Sequence, residues 1–446
     1  MSAASATATG QAVPPPGTAR LIPPDAPLSL AAHLDRYGQV PFSPARSADG
    51  IPALIAEADR SGLTGRGGAG FPAARKMLAV ARLGRTASRL RAPAGTVVIA
   101  NGAESEPASG KDRLLLTRAP HLVLDGLALA AEAVGAVRAY LCVHADGGLA
   151  VSELREAVTA RERSGLNRLP VQVVAVPGGY VTSQETALIS HLNGGAPVPS
   201  FTPPLPHESG VSRRPTLVQN VETLAHLALI ARFGAEWFRA IGAAAAPGSA
   251  LVTVSGAVSR PGVYEVALGT GIGDVVQLAG GSTEPVQAVL AGGYFGGWVG
   301  YEQARRLPFS HAGLRPAGAA PGPGVLVLLP ESACGLAETA RAAWYLASQS
   351  AGQCGPCLNG LPALAEAAGH AAFGRADAGL LRWTEQLLGL VAGRGACRLP
   401  DGATYLVGSA LRVFARDLQQ HLHSGPCGRA AHPHVLPVPG YPAGAP

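Results

Sequence analysis

A glycine-rich segment near residue 65 has the residue types that bind an anion. Glycine occupies four of the six positions of Gly65–Gly70, Arg66 lies within the segment, and Lys76 follows it. Glycine lets the backbone approach a ligand closely and direct several N–H groups at one negative charge. Arg66 and Lys76 add the positive charge that a phosphate attracts. These residues predict a phosphate-binding loop, with an ordinary glycine-rich surface loop as the alternative.

The two lysines of the chain lie in two short segments, although its lysines and arginines together number 35. Lys76 follows the glycine-rich segment, and Lys111 follows the polar segment Asn101–Pro107. A lysine ammonium is a compact point charge, whereas an arginine guanidinium is a planar fork. Because arginine takes every other basic position, we expect that a compact ammonium is needed at both places. This again indicates a phosphate-bearing ligand.

The segment also satisfies G-x-G-x-x-G, the dinucleotide-binding fingerprint, but its context does not. That fingerprint follows a strand and precedes an acidic residue by about 20 positions. Ile51–Ala58 has the apolar spacing of a helix, and Arg85–Arg91 contains no acidic residue. The sequence therefore predicts a phosphate loop that differs from the standard Rossmann fingerprint.

Apolar strands and amphipathic helices alternate after the glycine-rich segment. Thr96–Ala100, Val137–Val143 and Val171–Val176 have the pattern of strands, and His121–Val134 and roughly Leu149–Arg163 that of helices. This β-α-β-α-β order predicts a buried parallel sheet with right-handed crossovers. Ligands of such sheets bind at the carboxyl ends of the strands.

Two polar loops leave this edge of the predicted sheet. Asn101–Glu106 follows the first strand, and Pro177–Glu185 follows the third. We therefore expect Glu106 and Glu185 to lie near the glycine-rich segment, with a solvated loop carboxylate as the alternative for each.

The pattern changes twice further along the chain. A helix is predicted to begin at Gln219–Thr223 and to end near Phe233. Two strands, a short helix and further strands then predict a small α+β unit; their ranges are Leu251–Gly256, Pro261–Val266, Ile272–Leu278 and, last, Val325–Leu329. From Gly335 onward the pattern is helical, apart from loops around Cys354 and Cys397.

Composition excludes several classes of function. The formal net charge of +6 comes from scattered arginines rather than from a basic patch, which argues against nucleic acid as a partner. The sequence contains no run of about 18 apolar residues, so it predicts no membrane-spanning helix. The first 29 residues lack the pattern of a signal peptide, so we expect a cytoplasmic protein. In that compartment its six cysteines are metal ligands or inert thiols rather than disulfides.

Taken together, these segments resemble the flavin-binding, NADH-oxidising subunit of NADH-quinone oxidoreductase (respiratory complex I) and its relatives in NAD-linked hydrogenases and formate dehydrogenases. The motifs GRGGAGFP, ESEP…KDR, QETAL, QNVETLA, SGAVSRPGVYEV and CGPC occur in the family's order between about residues 51 and 422. The resemblance implies FMN as a cofactor, NAD(H) as a substrate and a [4Fe–4S] iron–sulfur cluster that receives single electrons.

The resemblance also implies an architecture. We expect an α/β Rossmann-like flavin domain, then a small β-grasp (α+β) domain of the soluble-ligand-binding type, and then a C-terminal helical bundle for the cluster. The expected bounds are 1–50 for a partly disordered N-terminal extension, 51–240 for the flavin domain, 250–330 for the β-grasp domain, 335–423 for the helical domain and 424–446 for a disordered tail.

Site residues are implied in the same way, position by position. The flavin site would comprise a phosphate cradle, polar groups near the ribityl chain and ring, and one aromatic: Gly65, Arg66, Gly67, Gly68 and Lys76; Asn101, Glu104, Asn220 and Thr223; and Tyr180. Glu106 and Glu185 would be the catalytic acids near the nicotinamide and its ribose, and Phe71 would contact NADH.

Part of the dinucleotide site departs from the family's pattern. Two aromatics that enclose the NADH adenine correspond to Ala79 and Leu205, and a neighbouring family lysine corresponds to Thr202. Stacking of a base on an aromatic side chain contributes roughly 1–3 kcal/mol in nucleic-acid sites. We therefore expect weak NADH binding, and the sequence favours the flavin more strongly than the dinucleotide.

The cluster site departs as well. Cys354 and Cys357, with Cys397 some forty residues later, match three of the family's four thiolates, and Ala351 stands at the position of the first. Three thiolates would hold a cubane with one iron open to other ligands, or a three-iron cluster. A vestigial loop that binds no iron is the alternative.

Three functions remain open on the sequence alone. The first is an electron-input subunit that passes electrons from NADH through FMN and the cluster to a ferredoxin-like or other iron–sulfur partner, in the cytoplasm or at the periphery of a membrane complex. The second keeps FMN but takes electrons from a ferredoxin-type donor. The third is a decayed, non-catalytic structural paralogue.

Overall fold

A parallel sheet with helices against it forms the first part of the chain. The computed structural model describes residues 19–24, 26–43, 45–46, 49–89, 95–146, 148, 151–374, 377–431 and 433–440. The elements of the first part are α1 Leu30–Tyr37, α2 Ala53–Ser61, α3 Ala73–Arg89, β1 Thr96–Gly102, α4 Lys111–Arg118, α5 Pro120–Val134, β2 Ala136–His144, α6 Val151–Arg163, β3 Val171–Val176, α7 Glu185–Leu192, β4 Thr216–Asn220 and α8 Val221–Arg239.

The predicted β-α-β-α-β unit is confirmed, within a sheet of four strands. The strand order is β3-β2-β1-β4, and every pairing in it is parallel. Apolar side chains of β1 are fully buried, as the continuous apolar run predicts. The helix expected from Leu149 begins at Val151 in the structure, and Leu149 itself lies outside the described residues.

The fourth strand was missed by the sequence analysis. Thr216–Asn220 pairs with β1, and Asn220 both ends this strand and caps α8 by accepting a hydrogen bond from the Glu222 N–H at 3.0 Å. No turn residue separates strand from helix, so the sequence shows only the helical pattern. A helical break at Gly234 (φ 86°) within α8 agrees with the end predicted near Phe233.

A five-stranded mixed sheet forms the second part, in the order β10-β9-β11-β7-β8. The pair of β7 and β11 is parallel and the other pairs are antiparallel. The elements of this part are β5 Gly242–Ala243, β6 Ala246–Pro247, β7 Ser249–Gly256, β8 Gly262–Ala267, α9 Ile272–Leu278, β9 Val286–Ala291, β10 Gly297–Gly300, α10 Tyr301–Ala304, α11 His311–Leu314 and β11 Val325–Pro330. The predicted strands and the helix Ile272–Leu278 are confirmed.

Helices make up the third part, as expected from Gly335 onward. They are α12 Gly335–Ser348, α13 Leu361–Ala372, α14 Ala378–Val391, α15 Leu399–Val413 and α16 Ala415–Ser424. Leu361, Leu364 and Leu406 are buried between them, in one core with residues of β9 and β11. The loops that carry Cys354 and Cys397 precede α13 and α15 respectively.

The expectation of a disordered tail is wrong for the described residues after 424. Leu436 is buried, its N–H donates to the Glu338 carboxylate at 2.8 Å, and the Tyr294 hydroxyl donates to the Pro437 carbonyl at 2.6 Å. The tail packs because apolar residues are interspersed among its prolines. Residues 432 and 441–446 lie outside the described part of the chain.

The N-terminal extension also packs where it is described. Leu21 is fully buried, and the Glu265 carboxylate accepts hydrogen bonds from the N–H groups of Arg20 and Leu21, both at 2.8 Å. Residues 1–18, on which part of the expected disorder falls, lie outside the described residues.

No single helix among the described residues is long and apolar enough to cross a membrane. The pair α4 and α5, bent by 97°, passes that test by length and composition only.

Candidate functional site

A cleft of about 830 Å³ opens between the two sheets and the helical part. Its volume lies within the range of cofactor and ligand pockets. Loops after β1 and β3, the glycine-rich segment and the start of α8 line one side. The predicted site residues that line it are Gly65, Gly67, Gly68, Phe71, Lys76, Asn101, Glu104, Glu106, Tyr180, Glu185, Asn220, Thr223 and Cys397.

The glycine-rich segment forms a tight loop whose conformation requires glycine. Gly68 has φ +119° and Gly70 has φ +63°, both in the region that side chains disfavour. A Cβ on Gly70 would lie 2.3 Å from His311 Nε2. The Gly65 N–H donates to the Phe71 carbonyl at 2.8 Å, which closes the loop. Six residues of this loop line the cleft, and four of them are glycines without a side chain.

The Arg66 side chain does not line this cleft, contrary to its expected place in the phosphate cradle. Its guanidinium is buried and donates to the Thr64 carbonyl at 3.2 Å and to the Ser249 carbonyl at 3.1 Å. Its backbone N–H donates to Thr223 Oγ1 at 2.9 Å. Burial lowers the pKa of Arg66, and the nearby Glu222 carboxylate partly offsets this. Arg66 therefore ties the glycine loop to β7 and α8.

Lys76 lies at the surface of the cleft and forms an ion pair with Glu185. Lys76 stands in the first turn of α3, and Glu185 is the first residue of α7, where the Gln184 side chain caps the helix. The Lys76 side chain is 23% exposed and that of Glu185 is 40% exposed. Lys76, expected to bind the phosphate, and Glu185, expected near the nicotinamide, therefore contact each other.

Lys111 is buried and does not line this cleft, which differs from the expectation for the second lysine. Its ammonium contacts Asp112 at 2.7 Å, Glu222 at 2.8 Å and Asn220 Oδ1 at 3.3 Å. Burial alone would raise the pKa of Glu222, but Lys111 and then His226 lower it to about 2. A compact ammonium fits this enclosed position, where it holds the Asn220 amide.

Three of the predicted polar residues already have protein partners. Asn101 Nδ2 donates to the Ser183 carbonyl at 2.9 Å and so joins the end of β1 to the loop after β3. Glu104 accepts hydrogen bonds from the N–H groups of Asp112 and Arg113, both at 3.1 Å, at the start of α4. Asn220 Nδ2 donates to Asp112 at 2.6 Å. These hydrogen bonds hold the walls of the cleft in place.

Glu106 lies at the bottom of the cleft and is 7% exposed. Its carboxylate accepts hydrogen bonds from the Tyr180 hydroxyl at 2.9 Å and from the Tyr294 N–H at 2.8 Å. Burial raises the pKa of Glu106 to about 7, although these hydrogen bonds oppose the shift. A carboxyl with this pKa exchanges a proton near neutral pH.

The second sheet supplies cleft residues that the sequence analysis missed. Phe295 lines the cleft with its ring centroid 4.9 Å from that of Tyr180. Gly293 has φ +72°, and a Cβ there would lie 2.5 Å from Glu106 Oε2. These residues are distant in sequence from the other walls. The sequence signal that could have indicated these cleft residues is the glycine pair Gly292–Gly293 directly before two aromatic residues.

Cys354, Cys357 and Cys397 lie close enough for their charges to interact. Burial, together with the neighbouring Cys354 and Cys397 thiols, raises the pKa of Cys357 to about 12, while a hydrogen bond to Ser350 opposes this shift. Cys397 also lines the cleft. Ala351 offers no ligand atom, so of the four thiolate positions of a [4Fe–4S] site the chain has cysteines at three.

Comparison with known families identifies three regions of the chain. The Nuo51 FMN-binding domain matches residues 58–229, and the SLBB domain matches residues 251–295. The NADH-ubiquinone oxidoreductase-F iron-sulfur binding region matches residues 331–421.

Individual proteins are similar over most of the chain. The second F-subunit of NADH-quinone oxidoreductase in Rhizobium meliloti (strain 1021) is 31% identical across 85% of this chain and 90% of its own length. The F-subunit of NADH-quinone oxidoreductase in Streptomyces coelicolor is 30% identical across 84% of each chain. Among solved structures, NAD+-reducing [NiFe]-hydrogenase in the H2-reduced state has a TM-score of 0.76 at 30% identity over 83% of this chain. This chain spans 62% of that hydrogenase chain. From its identity to the two F-subunits, this chain belongs to the family of NADH-quinone oxidoreductase F-subunits.

Proposed function

We propose that this protein is an electron-input subunit that takes hydride from NADH onto FMN and passes electrons through an iron–sulfur cluster to a partner. The proposal rests on one observation, which is that three features line the same cleft. These are the glycine loop with Lys76, the buried Glu106, and Cys397 from the cluster loop. A flavin bound in this cleft would lie between an electron donor and the cluster.

The cleft fits FMN. Its glycine loop offers backbone N–H groups to an anion, and Lys76 offers an ammonium for a charge-assisted contact with the phosphate. Asn101, Asn220 and Thr223 would contact the ribityl chain or ring. When bound, FMN supplies the exchange between two-electron hydride chemistry and single-electron transfer.

Glu106 is the proposed acid next to the nicotinamide. Because its pKa is about 7, it holds a proton over part of the neutral range and releases it over the rest. The Tyr180 hydroxyl and the Tyr294 N–H fix its orientation. Glu185 would neutralise Lys76 when the phosphate is absent and face the ribose of the dinucleotide.

Three domains are the proposed organisation. Residues 51–240 would form the Rossmann-like flavin domain, 250–330 the β-grasp domain and 335–423 the helical cluster domain. The four-stranded parallel sheet, the five-stranded mixed sheet and the helices α12 to α16 support this division. The acceptor would be a ferredoxin-like or other iron–sulfur partner protein, in the cytoplasm or at the periphery of a membrane complex.

Two optical measurements test the proposal. The protein reconstituted with FMN and examined anaerobically should show bound flavin in its visible spectrum, and stopped-flow mixing with NADH should bleach it. A protein that binds no FMN would reject the proposal and leave the structural-paralogue alternative. Bound FMN that a reduced ferredoxin bleaches and NADH does not would select the second candidate function, a ferredoxin-type donor.

That second candidate is favoured by one feature of the cleft. Leu205 and Thr202 line it where the family has an aromatic and a lysine, and Ala79 does not line it. Leu205 is 43% exposed, so an adenine there would meet an aliphatic surface.

We expect Leu205→Phe to tighten NADH binding by about tenfold, because stacking adds roughly 1–3 kcal/mol per base. The measurement is the NADH concentration that gives half-maximal bleaching of bound flavin. Leu205→Ile is the matched control, since it changes shape without adding a ring, and it should leave that concentration unchanged. Equal effects of both substitutions would show that the adenine does not lie against residue 205.

We expect Ala351→Cys to convert the cluster site from three thiolates to four. Ala351 stands at the family's first thiolate position and is half-buried against the core of the helical part. Anaerobic reconstitution should then yield about four irons per chain, with slower loss of iron in air, because no iron remains open. The readouts are iron and sulfide content and the EPR spectrum.

Matched variants give this test its control. Cys354→Ser, Cys357→Ser and Cys397→Ser should each lower iron content in the parent protein, whereas Cys142→Ser, in a buried strand, should not. Iron uptake that does not differ among these variants would contradict the three-cysteine site.

A further inference from the structure

We propose that Cys334, His421 and Cys427 form a zinc-binding site, separate from the cluster cysteines. The ligand atoms of these three side chains all lie within 4.8 Å of one another. The distance from Cys334 Sγ to His421 Nε2 is 3.9 Å. All three residues are buried, at 1%, 1% and 8% exposure respectively.

Three separate segments bring these ligands together. Cys334 directly precedes α12, His421 lies in the last turn of α16, and Cys427 belongs to the C-terminal tail. Cys334 is far in the chain from the other two, so only the fold brings the three side chains together. Thiolate sulfur and neutral imidazole nitrogen are the ligands that zinc prefers.

The imidazole is held in the form that binds metal. His421 Nδ1 lies 3.0 Å from the Ala371 carbonyl, so Nδ1 carries the proton and Nε2 keeps its lone pair. A histidine ligand of a metal commonly donates its other N–H to a backbone carbonyl in this way. The Cys427 N–H now donates to Nε2 at 3.1 Å, and metal binding would exchange this hydrogen bond for a metal bond.

A cationic side chain lies beside Cys427. The Arg429 guanidinium hydrogen-bonds this cysteine while also donating to Asp417 at 2.6 Å. Two thiolates with one neutral imidazole neutralise a divalent ion, and a water molecule would complete the four positions that zinc requires.

The site would tie the tail to the body of the protein and, through it, to the cleft. After Cys427, the tail donates from the Leu436 N–H to Glu338, and its Pro437 carbonyl accepts from the Tyr294 hydroxyl. The backbone N–H of Tyr294 in turn donates to Glu106. Zinc would thus hold the C-terminal tail in place against Tyr294, which hydrogen-bonds Glu106 in the cleft.

Zinc titration of full-length protein tests the site. The background variant carries Cys354→Ser, Cys357→Ser and Cys397→Ser, so that the cluster cysteines cannot bind zinc. We expect it to retain about one zinc ion per chain after dialysis. Adding Cys334→Ser or Cys427→Ser should weaken zinc binding at least about tenfold, whereas adding Cys142→Ser, another buried cysteine, should not.

Cobalt substitution provides a readout that needs no change in the site. Co2+ added to the background variant should give the visible bands and thiolate charge-transfer absorption of tetrahedral coordination, and Zn2+ should abolish them. No uptake of either metal would overturn the proposal, as would equal zinc binding in the Cys334→Ser and Cys142→Ser variants. Uptake of Cu+ without Zn2+ would reject zinc, and a Cys334–Cys427 disulfide with no zinc uptake after reduction would reject a metal site.

Discussion

Replacing Lys76 with alanine is expected to raise the FMN dissociation constant by about 10- to 100-fold. A charge-assisted hydrogen bond contributes roughly 1.5–3 kcal/mol, and about 1.4 kcal/mol corresponds to a tenfold change in affinity. The ion pair with Glu185 adds a second effect, because loss of the ammonium leaves that carboxylate facing the phosphate. Equilibrium quenching of flavin fluorescence measures the change.

A matched control separates the site from general charge. Arg75 precedes Lys76 on α3, is exposed and does not line the cleft, so Arg75→Ala removes the same charge and should leave FMN affinity unchanged. Glu185→Gln combined with Lys76→Ala completes a double-mutant cycle. If repulsion by Glu185 contributes, the double variant should bind FMN more tightly than Lys76→Ala alone. Wild-type affinity in Lys76→Ala would contradict the phosphate cradle.

The two lysines show what the sequence could and could not predict. Both were expected at a phosphate because both break the preference of the chain for arginine. Lys76 lines the cleft, but Lys111 is 1% exposed and pairs with Asp112 and Glu222. A compact ammonium suits an enclosed ion-pair network as well as it suits a phosphate, so residue type alone does not distinguish the two. The distinguishing information is the burial of position 111, which only the packing of α4 and α8 supplies.

Local pattern was sufficient where each element has its own periodicity. The strands β1 to β3 and the helix Ile272–Leu278 were predicted because their apolar residues repeat with a strand or helix period. The strand Thr216–Asn220 was missed because it passes into α8 without a turn. The direction of the Arg66 guanidinium also depends on a distant partner, Ser249.

The aromatic surroundings of Glu106 are the part of the site that sequence could predict least. Tyr180 was named from the resemblance, but Tyr294 and Phe295 come from the turn between β9 and β10, nearly two hundred residues after Glu106. Only the contact between the sheets encloses the carboxylate. Its raised pKa is thus a property of the assembled fold.

Glu106→Gln is expected to stabilise the protein relative to the wild type as pH rises. The gain in the free energy of unfolding over the wild type should be larger at about pH 8 than at about pH 5, by about 2 to 3 kcal/mol. The folded pKa of Glu106 is raised from 4.5 to about 7 by burial. Between these values the folded protein holds a proton that the unfolded chain releases, so stability falls as pH rises through this window. Glutamine cannot ionise and keeps an acceptor oxygen for Tyr180 and Tyr294. Urea unfolding of the flavin-free protein at both pH values measures the difference.

Glu265 provides the control that separates stability from catalysis. Burial also raises the pKa of Glu265 to about 7, but this residue does not line the cleft. Glu265→Gln should therefore change stability with the same dependence on pH and leave the pH profile of flavin bleaching by NADH unchanged. Glu106→Gln should change both, since its carboxyl lies at the bottom of the cleft. The contrary result is that NADH bleaches the flavin bound to the Glu106→Gln variant with the same pH profile as in the wild type. That result would show that Glu106 is a buried structural acid rather than the group that holds the proton during hydride transfer.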